Sequence, residues 1–386
     1  MANNNKHTGP NVPALRFPEF SGEWIKTTLL DCCTGFSYGM NAAAKVFDGE
    51  NKYIRITDID EKTSEYISDE PVSPDGVLSD EYLVTEGDIL FARTGASTGK
   101  TYLYSPKDGK LYYAGFLIKA SVKDCFNPYF IFCQTKTQSY RKWVEVMSAR
   151  SGQPGINSQE YASFPLFLPT NAEQNKIANL LSVIDERIRV QSKIIEEQET
   201  LLKSLRDILL KQSSSSSDHC RIGDILSIGN GKDYQHLNEG DIPVYGTGGL
   251  MCHVNESLYD GESVCIGRKG TINKPIFLKG RFWTVDTLFY THSYKGVFPR
   301  FCYHLFCTID WLAYNEASGV PSLSKSTIEK IPVLIPTIEM QGKIVQILDT
   351  IEEKVDTDRQ TDSPELPKSK GIPFIPYVHI NILESK

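Results

Sequence analysis

Several common features are missing from this chain. Its nine cysteines contain no CxxC pair, no apolar run approaches membrane length, and no signal-peptide pattern stands at its start. This spacing excludes a thioredoxin-like redox motif and an ordinary zinc set. Cys302 and Cys307 with His304, or Cys252 beside His253, are only fragments of one. The expectation is buried, reduced thiols in a cytoplasmic protein that makes no contact with membranes. Also missing is a catalytic constellation. There is no nucleophile in a recognisable turn and no methyltransferase tetrapeptide ending in Pro-Pro-aromatic, and no lysine lies close downstream of the acidic stretch from Asp58 to Asp88. GDILFARTGASTGK, from Gly87 to Lys100, is one residue short of a phosphate loop between Gly95 and Gly99, and Thr94 stands where the first glycine belongs. No cofactor and no metal is expected on this chain.

Glycine and proline are absent from Ala172 to Gln212, and over that stretch Ile177, Leu181, Ile184, Ile188, Gln191, Ile195, Gln198, Leu202, Leu205 and Leu209 recur in alternating steps of four and three. The pattern predicts one helix, roughly 60 Å long at about 1.5 Å per residue. A seam this narrow predicts a partner helix, with Gln191 and Gln198 as polar, register-setting positions.

The partner is expected in the same chain, because the sequence repeats. Ser151 to Ile188 aligns without a gap on Ser318 to Val355, with 12 of 38 positions identical. SGQPG matches SGVPS, FPLFLPT matches IPVLIPT, and EQNKIANLLSVIDERI matches MQGKIVQILDTIEEKV. The organisation is therefore head, helix, head, helix. The expected divisions are a disordered leader (1–14), a first head (15–169), a first helix (170–212), a serine linker (213–217), a second head (218–336), a shortened second helix (337–360) carrying Ile344, Leu348, Ile351 and Val355, and a divergent tail (361–386) whose prolines forbid further helix.

Within the heads, Trp24 and Ile25 are expected core anchors, and strands are expected at Lys52 to Asp60 and Asp88 to Ala92. Helices are expected from Asn127 to about Ala149, with Trp143 and Val146 among their apolar positions, and from Phe298 to Ala317. The formal net charge of −7 hides segregation. Gly87 to Lys123 holds six basic and two acidic residues, and Gly261 to Arg300 holds seven and two. A Gly-rich loop beside a basic strand end recurs in both heads, a composition suited to phosphates and base edges.

The paired blocks, the phrase YIRITDI and GDILFARTGASTGK together resemble the specificity subunit of type I restriction-modification enzymes, from about Leu15 to Gln360. The resemblance implies an α+β chain: two similar α/β target recognition domains separated by long spacer helices that pack as an antiparallel coiled coil. It also implies a bipartite double-stranded DNA target, no catalysis in this chain, and two kinds of partner. These are modification subunits, adenine methyltransferases using S-adenosylmethionine, and ATP-dependent restriction subunits that translocate and cleave. On loop position and residue type, the candidate DNA contacts are Ser37, Tyr38, Arg55, Arg93, Thr94, Ser97 and Lys119 in the first head. In the second they are Lys232, Tyr234, Tyr245, Arg268 and Lys269. The shortened second helix departs from the family pattern and leaves open a truncated or recombined inactive copy. Rival readings are a coiled-coil scaffold whose heads bind protein and an enzyme with an unfamiliar site.

Overall fold

The computed structural model describes residues 12–13, 15–67, 69–149, 152–212 and 218–362. It divides into two compact units, one ending at Arg189 and the other starting at Val190. In the first, the buried run Asp88–Ala92 lies inside a four-stranded antiparallel sheet, ordered Cys33–Tyr38, Leu117–Val122, Asp88–Ala92, Thr101–Leu103. Strand periodicity sends its side chains to two cores. Ile89 and Phe91 face a cluster with Phe130, Tyr161 and Leu181, while Leu90 and Ala92 face one with Ile54, Tyr102 and Tyr113. A short antiparallel pair, Ile25–Thr28 with Pro165–Leu168, adjoins the long helix.

The second unit repeats this plan. Its sheet begins with Ser227–Asn230, Leu288–His292, Tyr259–Gly267 and Ile276–Thr284 in the corresponding order, then adds Ile242–Gly246 and Gly249–Val254. Asp218–Arg221 pairs with Pro332–Ile335 as the counterpart of the first unit's short pair.

The first long helix spans Asn171–Gln212, 42 residues, and the second Ile338–Asp362, 25 residues. Each opens on a buried glutamine. Gln174 Oε1 accepts from the Asn127 amide at 3.2 Å and its Nε2 donates to the Pro169 carbonyl at 3.1 Å. Gln341 does the same with the Phe298 amide at 3.0 Å and the Pro336 carbonyl at 2.9 Å. The seam is therefore not left wholly to a partner helix. Ile177 and Leu181 complete the first head's own core, as Ile344 and Leu348 complete the second's.

Further along, the two helices run antiparallel within the second unit. Gln198 Nε2 donates to Asp358 at 3.0 Å, and Arg206 Nη2 donates to Glu352 at 2.6 Å. Leu202 shares a core with Ile344 and Leu348, and Leu205, Leu209 and Ile351 pack on its edge. Ile195 and Val355 are buried, whereas Ile184, Ile188 and Gln191 stay half-buried.

Several local expectations need correction. Ile25 is 73% exposed although its neighbour Trp24 is buried: in the two-stranded pair that begins there, Ile25 and Lys26 are both uncovered and Thr27 and Thr28 are half-buried. The strand from Lys52 stops at Ile54, and Ile56–Asp58 is a 3-10 turn closed by Arg55 and Asp58. Two helices, Pro128–Gln134 and Gln138–Ser148, replace one, since Thr137 caps the second by accepting from the Tyr140 amide. Val146 on that second helix faces solvent. After Phe298 the helix covers Pro299–Phe306 alone, with a 3-10 turn at Trp311–Tyr314. Cys125 is exposed and Cys220, Cys252 and Cys307 are half-buried, so the thiols are not uniformly inside. The serine linker lies outside the described residues. So does the leader apart from Val12 and Pro13, which are buried, and the tail apart from Thr361 and Asp362, which end the second helix. Among the described residues, no helix is long and apolar enough to cross a membrane.

His304, Asp349 and Glu352 come close enough to suggest metal ligands. Guanidinium groups already fill that role: Arg300 pairs with both carboxylates, and Arg206 Nε donates to His304 Nδ1 at 3.2 Å. His304 Nε2–H then donates to Asp349 at 2.8 Å. Burial pulls the His304 pKa from 6.5 down to about 4, against a smaller opposing effect of its bond to Asp349. Between those values the unfolded chain takes up a proton that the folded one refuses, so stability falls as pH drops through this window. Urea unfolding should show a lower midpoint at pH 4.5 than at pH 7, and His304→Gln should flatten that part of the slope.

Candidate nucleic-acid interface

In the first unit the central strand ends at Ala92 and delivers Arg93 to the sheet rim. Its backbone is fixed by three hydrogen bonds: Arg93 N to Phe116 O at 3.0 Å, Ile156 N to Arg93 O at 2.9 Å, and Gly95 N to Pro154 O at 2.9 Å. In the second unit Arg268 N donates to Thr287 O at 2.7 Å, Leu323 N to Arg268 O at 2.9 Å, and Gly270 N to Pro321 O at 2.9 Å. Thr94 bridges to Gly155 as Lys269 bridges to Ser322. The repeated loops SGQPG and SGVPS thus hold an arginine at the same place in each head.

The side chains differ. Arg93 stacks over the Tyr38 ring at 4.8 Å and reaches the Gly115 carbonyl at 3.4 Å. Tyr38 Oη accepts from the Ser158 amide at 3.2 Å, and hydrogen bonding from Ser158 draws its pKa below the ordinary tyrosine value. Arg268 and Lys269 are exposed, and with Asn230, Ser322, Ser324 and Lys325 they border a surface pocket. Tyr234 lies in a second pocket beside Gly246, Thr247, Asp286 and Thr287.

The other candidates lie further from these rims or are otherwise engaged. Ser37 Oγ is 2.8 Å from the Tyr113 hydroxyl, and Ser97 closes the 3-10 turn Gly95–Ser97. Lys232 is exposed, its carbonyl accepting from Trp283 Nε1 at 2.8 Å, and Tyr245 packs on a small core cluster. Arg55 forms a two-pronged pair with Asp58, both contacts at 2.8 Å. Lys119 donates to the Leu83 carbonyl at 2.8 Å and sits 3.8 Å from the buried Asp88 carboxylate. These last two cations are paired within the acidic segment, Lys119 largely covered and Arg55 still partly open to solvent.

The loop after Arg93 is no phosphate cradle, because its amides are used internally. Gly99 N reaches Ala92 O at 3.0 Å and the Tyr161 hydroxyl at 3.1 Å, and Lys100 N reaches Ser97 O at 3.0 Å. Sequence reading missed Phe116, Asn230, Thr287 and Lys325, which flank the two arginines. An exposed aromatic directly after Gly115 was the available signal for Phe116, which is 60% exposed. Lys119→Ala should cost about 1–3 kcal/mol of stability by removing the cation beside the buried Asp88 carboxylate and the donor to the Leu83 carbonyl, a loss that chemical denaturation would register.

A family profile described as "Type I restriction modification DNA specificity domain" matches residues 39–200 and 216–364. The chain is 22% identical over 297 residues to the type I restriction enzyme EcoprrI specificity subunit of Escherichia coli, covering 70% of this chain and 72% of that one. Its fold is similar to the crystal structure of the S subunit of a type I restriction-modification system from M. genitalium, with a TM-score of 0.65 at 17% identity, covering 91% of this chain and 95% of that one. The chain belongs to the type I restriction-modification DNA specificity family, and its two family domains correspond to the two copies of the repeat.

Proposed function

We propose that this chain is the non-catalytic recognition subunit of a type I restriction-modification complex, residues 15–169 and 218–336 each reading one half of a bipartite double-stranded DNA target. The helical stretches 170–212 and 337–360 act as spacers that set the gap between the halves. They also dock modification subunits, with which restriction subunits associate. The observation that carries this reading is the duplicated arginine seat: one backbone arrangement, built twice from the repeated loop, presents Arg93 and Arg268 at equivalent strand ends. Guanidinium groups so placed suit phosphate oxygens or guanine edges, and a scaffold that binds protein has no evident need of the pair.

Arg93→Ala and Arg268→Ala should each weaken duplex binding about ten-fold and reduce the salt slope by about 1. Equal affinity and slope in all three proteins would refute the assignment. Removing one heptad, residues 188–194, shortens the first helix by about 10 Å and should contract the preferred gap by about three base pairs. An unchanged gap in the methylation pattern would end the ruler idea.

A further inference from the structure

The two heads are built alike around their arginines but differ in what surrounds them. Strand pairing sets Tyr38 opposite Ile118 and Asn230 opposite Phe289. Arginine amides donate to the carbonyls of Phe116 and Thr287, each the same step before those partners. Tyr38 therefore occupies the place of Asn230, and Phe116 that of Thr287. In the first head the arginine is flanked by two exposed aromatic rings, Tyr38 at 41% and Phe116 at 60% exposure. In the second it is flanked by an exposed amide and a half-buried hydroxyl.

Resting on the recognition reading above, we infer a division of labour within each rim: the shared arginine anchors the duplex, and the pair beside it, Tyr38 with Phe116 or Asn230 with Thr287, selects bases. A group present identically in both heads cannot distinguish one half-site from the other. What varies around it can. The Asn230 amide offers a donor and an acceptor side by side, the pattern that matches N6 and N7 of adenine in the major groove. Phe116 offers no hydrogen bond and suits the methyl group of thymine. The first head thus reads by apolar contact and the second by hydrogen bonding.

The test uses the full chain co-expressed with the modification subunits of its own system, selecting from a duplex pool randomised across both half-sites. The wild type should enrich a split motif. Asn230→Ala should relax one position of the second half-site by about ten-fold, and Asn230→Tyr with Thr287→Phe should replace the preference there. Both should leave the first half-site and the gap intact. Tyr38→Asn with Phe116→Thr should do the reverse. Arg268→Ala should lower enrichment while keeping the motif. Of the five substituted positions Tyr38, Phe116, Asn230 and Arg268 are exposed and Thr287 is half-buried, and a thermal melt of each variant confirms folding. A wild-type split motif that survives both exchanges unchanged overturns this assignment alone, as does an Arg268→Ala protein that alters the motif. Failure of the wild type to enrich any split motif overturns the recognition reading, and this inference with it.

Discussion

A buried glutamine at the first turn of each long helix ties that helix to its head. Gln174 and Gln341 sit where the backbone of the head's own helix begins and where a proline-terminated strand ends, and each amide satisfies an orphan group from each side, Gln341 also donating to the Gly296 carbonyl at 3.0 Å. A side chain of either aliphatic kind would leave a buried N–H and a buried C=O unpaired, at about 1–3 kcal/mol apiece. The helix is thereby held in one orientation. Ile177 and Leu181, or Ile344 and Leu348, then close the head's core. The duplicated object is consequently a head with the root of its stalk built in, and the antiparallel contact of the second unit continues a helix already anchored at its base.

Electrostatics follow the same separation of tasks. The chain is acidic overall, yet much of its acid is spent internally: Asp58 on Arg55, Asp88 near Lys119, Asp349 and Glu352 on Arg300. At the second head's rim, the Glu316 carboxyl is held below its usual pKa by hydrogen bonds from Thr327 and then Ser324, which tie it to the start of the short helix Lys325–Glu329. Net charge therefore misjudges the rims, where Arg268 and Lys269 remain exposed.

What was readable beforehand depended on range. The long helix was legible to within a residue at its start, because a seam with no Gly or Pro specifies its own period. The strand Asp88–Ala92 was equally plain, being a short apolar run bounded by Gly87 and a polar loop. Thr137 concealed a helix break, since threonine punctuates less visibly than proline and its capping role shows only once Tyr140 is seen to donate to it. Ile25 failed for a related reason: burial stops at Trp24, the strand that follows leaves Ile25 and Lys26 uncovered, and two neighbouring apolar letters do not say where burial stops. The arginine seats were half legible. Their residue type and strand-end position could be read, but their tether to Pro154 and Pro321 joins segments distant in sequence, which periodicity does not report.

That tether also explains how the two heads diverge without losing their frame. All three bonds at each seat are main chain to main chain, so they make few demands on side-chain identity. The demand that remains falls on Gly95 and Gly270, whose φ of +73° and +84° disfavour a side chain. Phe116 and Thr287 contribute a carbonyl to the frame, whereas Tyr38 also accepts from the Ser158 amide and lies under Arg93, so its replacement removes both contacts. A rim whose geometry is held by backbone and whose chemistry is carried by replaceable side chains acquires a new preference by substitution alone, with no repacking of the cores beneath it.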